Sequence, residues 1–134
     1  MRRRESADRL QQTGIDAVAA DLDDARPPLP SDWSPTRIFY LAPPPPAGDT
    51  DPRMRHFLGA LPGDSHPRIV YISTTGVYGD CRGAWVDESR PANPQVDRAR
   101  RRYDAEEQLR AWREAGHGEL IVLRVAGIYG PGRL

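Results

Sequence analysis

The chain has 134 residues, of which 28% are charged, and a formal net charge of +0. This length allows one domain with a modest core, and the balanced charge gives no global field that would favour nucleic acid or a membrane surface. No apolar run approaches the roughly 20 residues needed to cross a bilayer. Together with the balanced charge, this leads us to expect no membrane and no nucleic-acid partner. The single cysteine, Cys81, excludes an internal disulfide framework and indicates a cytoplasmic protein.

All 19 basic residues are arginine, and the sequence contains no lysine. Chemistry that requires a lysine amine, such as a Schiff base or a phosphate-loop lysine, is therefore excluded for this chain alone. The three histidines, His56, His66 and His117, lack the spacing of metal ligands, and we assign no metal site.

The first third of the chain predicts one helix and two strands. A helix is predicted from residue 7 to residue 12, with Ser6 as its N-cap and Gly14 just after its end. Residues 15–22 (IDAVAADL) predict a short strand that ends in acidic residues, and a proline-rich loop follows it. Residues 37–42 (RIFYLA) predict a second strand, which four consecutive prolines stop.

The remainder predicts a helix, a strand, a helix and a strand. The first helix covers residues 51–61, with Pro52 in its first turn, and the long second helix covers residues 96–116. Residues 68–73 form a β-branched and aromatic run, typical of a strand buried on both faces, and residues 119–125 form the last strand. The inward-facing apolar positions of the two helices are predicted to be Met54, Phe57, Leu58, Leu61, Ala105, Leu109 and Trp112.

This alternation predicts an α/β fold with a parallel sheet and right-handed crossovers. In open sheets of this kind, ligands bind just beyond the carboxyl ends of the strands. The strand at 68–73 runs directly into three hydroxyl side chains, Ser73, Thr74 and Thr75. Hydroxyls placed there can hydrogen-bond a ligand without bringing a charge into the site. The alternative is a serine- and threonine-rich turn without a ligand.

Four segments together resemble the extended and atypical short-chain dehydrogenase/reductase superfamily, in its NAD-dependent epimerase/dehydratase group. They are ISTTGVYGD (72–80), VDES (86–89), RARRRYDAEEQL (98–109) and LRVAGIYGPGRL (123–134). The resemblance implies a partial Rossmann-like, doubly wound parallel sheet within a single partial domain, residues 1–134. It also implies NADP or NAD as the cofactor and a small or nucleotide-sugar-like substrate, and it leaves a homodimer open.

The resemblance places ligand contacts at the ends of the last two strands. Thr74 would hydrogen-bond the substrate oxygen, with Ser73 as its near neighbour. The segment 125–129, which begins with Val125 and Ala126, would lie beside the nicotinamide.

Other implied cofactor contacts lie earlier in the chain. The adenine and ribose side would be contacted by Asp21, Leu22, Ala42 and Pro43. Arg3 and Arg4 occupy the place where an arginine would pair with the 2′-phosphate of NADP. A solvated N-terminus is the alternative interpretation of these two arginines.

The chain departs from the family at the acid/base pair. The family uses a tyrosine and a lysine four residues later, and alignment of the long helix puts Arg98 and Arg102 at those positions. Arginine is effectively always protonated, so neither residue can readily act as a general base. The pair could instead bind an anionic substrate or the cofactor phosphates, or it could be a solvated charge run.

The chain also lacks the GxGxxG turn with which the family begins. It resembles a central fragment that starts after the second family strand and stops after the sixth. In a 3-2-1-4-5-6 sheet, residues 15–22 would then have lost both neighbours, and the strand at 37–42 would expose an apolar edge. We therefore predict that residues 1–35 are loosely attached and that residues 36–130 form the core.

Three functions are consistent with these features. The first is an NAD(P)-dependent oxidoreductase or epimerase/dehydratase-like protein, in which Thr74 binds the substrate oxygen and Arg98 and Arg102 replace the acid/base pair. The second is a non-catalytic dinucleotide-binding sensor, which keeps the fold without the tyrosine chemistry. The third is an inactive truncated gene product.

Overall fold

The structure, a computed structural model, describes residues 3–30 and 32–132. In these residues a three-stranded parallel sheet and three α-helices form a partial Rossmann-like fold of the α/β class. The elements in chain order are α1 (Arg4–Gln11), β1 (Arg37–Tyr40), α2 (Pro52–Ala60), β2 (Arg68–Thr74), a 3₁₀ turn (Thr75–Tyr78), α3 (Asp97–Glu114) and β3 (Glu119–Val125).

The sheet has the order β1-β2-β3, and both strand pairs are parallel. Arg37 lies beside Arg68, and Arg68 lies beside Glu119, so the three strands start in register. Thr74 and Val125 pair at the other end of β2 and β3. The carboxyl ends of these two strands therefore meet at one edge of the sheet.

Helices α2 and α3 cover one face of the sheet. Their apolar positions recur at intervals of three and four residues, which puts them on one side of each helix. The buried core consists of Ile38, Tyr40, Met54, Phe57, Ile69, Tyr71, Ala105 and Leu109, with Leu58, Leu61 and Trp112 packed at its margin. The predicted inward positions of both helices are thus confirmed.

The opposite face of the sheet carries exposed apolar side chains. Phe39 of β1 is 66% exposed, and Ile121 and Leu123 of β3 are 42% and 44% exposed. Parallel sheets are ordinarily covered on both faces. The described residues therefore supply one of the two helical layers of a doubly wound fold.

The ends of the two core helices follow local chemistry. Asp51 is the N-cap of α2, where its carboxylate accepts a hydrogen bond from the Met54 N–H, and Pro52 follows in the first turn, as predicted. Gly116 follows the end of α3 with φ +83°, the left-handed conformation expected at this position. Gly118 has φ +155°, and a Cβ there would meet the Pro67 carbonyl oxygen.

The predicted strand at residues 15–22 is wrong. These residues form no strand in the structure and do not pair with β1. Alanine and aspartate dominate the segment, and both residue types have weak strand preference. Leu22 packs instead at the core margin, and its carbonyl oxygen lies 2.9 Å from His56 Nδ1.

The predicted N-cap of α1 is also wrong. Arg3 is the N-cap residue, and it makes no side-chain capping bond. The helix therefore begins at Arg4, ahead of Ser6, and the serine lies inside its first turn.

Leu109→Ala is expected to lower the free energy of unfolding by about 2–5 kcal/mol, because the fully buried side chain packs between α3 and the sheet. Leu123→Ala removes the same atoms from the exposed face and is expected to cost much less. Urea unfolding followed by circular dichroism measures both changes. Equal losses in the free energy of unfolding for the two variants would contradict a core that lies on one face of the sheet.

Candidate functional site

A cleft of about 710 Å³ lies at the edge of the sheet where β2 and β3 end. Its walls are the proline run 43–46 after β1, the end of β2 with the following turn (72–76), the first turns of α3, and the segment 125–128 after β3. This is the edge at which open parallel sheets bind their ligands. The cleft is therefore the candidate site.

The cleft brings together many of the residues that the sequence singled out, and others lie elsewhere. Those that line it are Pro43, Ser73, Thr74, Arg98, Arg102, Val125 and Ala126. Those outside its lining are Arg3, Arg4, Asp21, Leu22 and Ala42. Arg3 and Arg4 are exposed at the start of α1, whereas Leu22 and Ala42 pack at the core margin.

The two hydroxyls at the end of β2 have different partners. Ser73 is 5% exposed, and its Oγ donates a hydrogen bond of 2.5 Å to Glu106 Oε1. Thr74 Oγ1 accepts a hydrogen bond of 3.2 Å from the Gly76 N–H. A hydroxyl that accepts still carries its own proton. Thr74 therefore keeps a donor for a ligand, while the proton of Ser73 is committed to the protein.

Of the two arginines aligned by the resemblance, Arg102 is hydrogen-bonded to the protein and Arg98 is not. Arg102 Nη1 donates to the Ile72 carbonyl oxygen at 3.0 Å and to the Tyr71 hydroxyl at 3.3 Å. Its guanidinium carbon lies 5.8 Å from the centre of the Tyr71 ring. Arg98 is exposed and has no hydrogen bond or ion pair with any residue that the structure describes. Arg102 thus holds the end of β2, and Arg98 is available to a ligand.

Arg101 also lines the cleft, and the sequence analysis missed it. The residue is 7% exposed, and its Nη1 donates to the Gly48 carbonyl oxygen. Its Nε is buried and has no hydrogen-bond partner among the described residues. Arg101 precedes Ala105 by four residues, which places it on the inward side of α3. That spacing was the signal that could have identified it.

Glu106, a second residue that the sequence analysis missed, ties α3 to β2 and β3. Its side chain is fully buried and accepts hydrogen bonds from Ser73 Oγ, from Arg110 Nη2 at 2.7 Å and from Arg124 Nη2 at 2.7 Å. The carboxylate holds the pKa of Arg124 above its ordinary value. Arg124 also lies over the Tyr78 ring, 4.6 Å from its centre. This cluster fixes the ends of the two strands that form the floor of the cleft.

A second cleft, of about 550 Å³, lies on the other side of this cluster. The VDES motif contributes Val86, Asp87 and Glu88 to its lining, together with Arg110 and Arg124. Acidic and basic side chains therefore share this lining.

The core below the first cleft contains buried titratable groups. Asp51 is fully buried; burial raises the pKa of its carboxyl, and the positive charge of Arg102 opposes that rise. Asp51 Oδ2 has no hydrogen-bond partner among the described residues. Burial raises the pKa of Tyr71 to about 12, against the opposing effect of the Arg102 hydrogen bond. Tyr71 is therefore a neutral hydroxyl near pH 7.

The described residues contain neither a metal-binding cluster nor a membrane-spanning helix. None of their histidine, cysteine, aspartate and glutamate side chains form a group of three that could hold a metal ion. None of the described helices is long and apolar enough to cross a membrane.

Glu106→Gln is expected to lower the free energy of unfolding by about 3–5 kcal/mol, because it leaves Arg124 partly buried opposite a neutral amide. Glu107→Gln is the matched control, since Glu107 is exposed and pairs with Arg110 at the surface. Its expected cost is about 0–1 kcal/mol. Urea titrations of both variants measure the two changes. Similar losses in the free energy of unfolding would show that the buried Glu106 contributes no more stability than the exposed Glu107.

Asp51→Asn is expected to keep or raise stability at pH 7, because asparagine also caps helices and carries no charge to bury. The raised pKa means that the folded chain binds this proton more tightly than the unfolded chain. The free energy of unfolding of the wild type therefore falls as the pH rises above about 4, relative to the variant.

Urea melts at pH 4 and pH 7 measure that difference between Asp51→Asn and the wild type. Asp51→Ala is the control, because it removes the cap and is expected to cost about 1 kcal/mol. If Asp51→Asn gains more free energy of unfolding over the wild type at pH 4 than at pH 7, the predicted direction of the pH dependence is wrong.

Comparison with known sequences places the chain in a family. The family model described as "NAD dependent epimerase/dehydratase family" matches residues 54–134, which is more than half of the chain and includes both β2 and β3. Protein YeeZ of Escherichia coli K12 is 41% identical over 68 residues, which is 50% of this chain and 23% of YeeZ. The chain therefore spans about a quarter of the length of this relative.

Two solved structures share the fold. A functionally unknown conserved protein from Silicibacter pomeroyi DSS is 31% identical, with a TM-score of 0.70 over 99% of this chain and 45% of that one. RMD from Pseudomonas aeruginosa, complexed with NADPH, is 19% identical, with a TM-score of 0.66 over 78% of this chain and 40% of that one. The chain belongs to the NAD-dependent epimerase/dehydratase family.

Proposed function

We propose that the chain belongs to an NAD(P)-dependent oxidoreductase or epimerase/dehydratase-like protein that acts on a small or nucleotide-sugar-like substrate. One observation carries the proposal: Thr74, Arg98, Arg102, Val125 and Ala126 line a single cleft at the carboxyl edge of the sheet. Family membership supports the same location.

The lining suits part of a nicotinamide dinucleotide. Ile72, Val125 and Ala126 offer an uncharged surface to a flat ring, and the arginines offer donors to phosphate oxygens. When bound, such a cofactor supplies hydride transfer. NAD is supported by the description of the family and NADP by the NADPH complex of RMD. The sequence contains no GxGxxG turn, so we expect modest affinity for the pyrophosphate.

Thr74 is proposed to hydrogen-bond the substrate oxygen. Its Oγ1 accepts from the Gly76 N–H, which orients the hydroxyl while its proton remains free to donate. The resemblance aligns Arg98 and Arg102 with the acid/base pair of the family, and we propose that they bind and orient the ligand by charge. Neither can take up a proton, because both guanidiniums stay protonated.

A non-catalytic dinucleotide-binding sensor is the second candidate. One observation favours it: the described residues that line the cleft include no tyrosine, histidine or carboxylate that could move a proton near neutral pH. A sensor would bind the cofactor and leave it unchanged. Product formation from nucleotide-sugar substrates, measured together with absorbance at the nicotinamide band, separates turnover from binding alone.

Two other features remain proposals. We propose a cytoplasmic location, because Cys81 is the single cysteine and is free. We propose a homodimer as the assembly, which light scattering of the full chain tests.

Saturable binding of NADPH or NADH by the 134-residue chain is the expected result, measured by isothermal titration calorimetry. Ala126→Trp is expected to remove that binding, because Ala126 is exposed and lines the cleft, so the larger side chain fills it. Ala84→Trp is the control, at an exposed position outside the cleft. Binding of neither nucleotide, or equal binding by both variants, would contradict the proposed function.

A further inference from the structure

We propose that Arg98 and Arg101 form an anion subsite in the cleft, which takes a phosphate or carboxylate group of the ligand. The inference rests on the proposed function, since it names the chemical class of the ligand for the same cleft. The group could belong to the substrate or to the cofactor.

The lining of the cleft is positively charged without compensation. It contains three arginines, Arg98, Arg101 and Arg102, and none of the described residues in it is aspartate or glutamate. The second cleft differs, because Asp87 and Glu88 share its lining with its arginines. The first cleft therefore favours an anion, and the second carries countercharges of its own.

Arg101 gives the strongest single indication of an anion subsite. Arg101 is only 7% exposed, yet its guanidinium donates to a neutral carbonyl oxygen, that of Gly48. The Arg101 Nε is buried and has no hydrogen-bond partner among the described residues. None of those residues forms an ion pair with Arg101. A buried cation ordinarily requires a paired anion, because removal of a charge from water is costly. An anionic ligand would supply that partner.

Arg98 completes the subsite from the solvent side. It lies three residues before Arg101, so the two side chains share one face of α3. Because Arg98 has no partner among the described residues, its guanidinium can turn toward a ligand at no loss of an existing bond. Arg102 is less available, since it already donates to Ile72 and Tyr71.

The donor set matches oxyanions in particular. Planar guanidiniums donate parallel hydrogen bonds to the paired oxygens of a phosphate or a carboxylate. The Thr74 hydroxyl lines the same cleft and has a proton to donate to a further oxygen. A neutral ligand would leave the Arg101 charge uncompensated.

Inorganic pyrophosphate is the probe, titrated into the full chain by calorimetry at constant ionic strength. We expect saturable binding that Arg98→Gln weakens by about tenfold or more, as for loss of a charge-assisted hydrogen bond. Arg100→Gln is the matched control on the same helix, where Arg100 is exposed and pairs with Asp97. We expect it to change the affinity by less than about twofold, because an exposed pair contributes little.

Arg101→Gln adds a readout that a merely structural role would not give. The variant is expected to melt at or above the wild-type temperature without the anion and to lose the upward shift that pyrophosphate gives the wild type. A structural role alone would lower the melting temperature and leave the shift in place. If Arg101→Gln does not fold, the comparison of Arg98→Gln with Arg100→Gln decides the question.

Titration of NADPH in the presence of saturating pyrophosphate distinguishes the two sources of the anion. Mutual exclusion assigns the subsite to a cofactor phosphate, and simultaneous binding assigns it to a group on the substrate; either outcome supports the proposal. Pyrophosphate binding that is absent, or equal in Arg98→Gln and Arg100→Gln, overturns it. NADPH binding without pyrophosphate binding would overturn the anion subsite alone and leave the proposed function standing.

Discussion

The buried carboxylate of Glu106 is the interaction on which the cleft depends. It accepts hydrogen bonds from Ser73 on β2, Arg124 on β3 and Arg110 on its own helix. A buried carboxylate without these donors would be unstable, and the two arginines would repel each other without it. The cluster therefore fixes α3 against the ends of both strands. Because the cleft opens at those ends, its floor and its arginine wall are held in one arrangement.

The same helix supplies the positive wall of the cleft, and its successive arginines have different tasks. Arg102 holds the end of β2, and Arg100 pairs with Asp97 at the surface. Arg101 is buried beside a neutral carbonyl oxygen, and Arg98 is left to the solvent. Helical geometry thus gives the arginines of this run different surroundings, so that some bond to the protein and others line the cleft. We propose that Arg98 and Arg102, which the resemblance aligns with a tyrosine and a lysine, act by binding charge and not by proton transfer.

Three of the four predicted strands and all three predicted helices were correct, because long apolar runs and helical periodicity report burial directly. The strand at 15–22 failed because its sequence, rich in alanine and aspartate, has little strand preference of its own. The clustering of Thr74, Arg98 and Val125 followed from strand order. Glu106 and Arg101 were missed because composition alone makes charged residues look solvent-exposed. Their spacing from Leu109 and Ala105 placed both on the inward side of α3.

We propose above all that a nicotinamide dinucleotide binds at the carboxyl edge of the sheet. Hydrogen exchange of the full chain, followed by mass spectrometry with and without NADPH, tests it most directly because it locates the ligand without a substrate. We predict added protection in the segments 72–76 and 125–128, and no change in the exposed loop 82–90. Protection confined to that loop or to α1, or no change in either cleft segment at saturating NADPH, would contradict it.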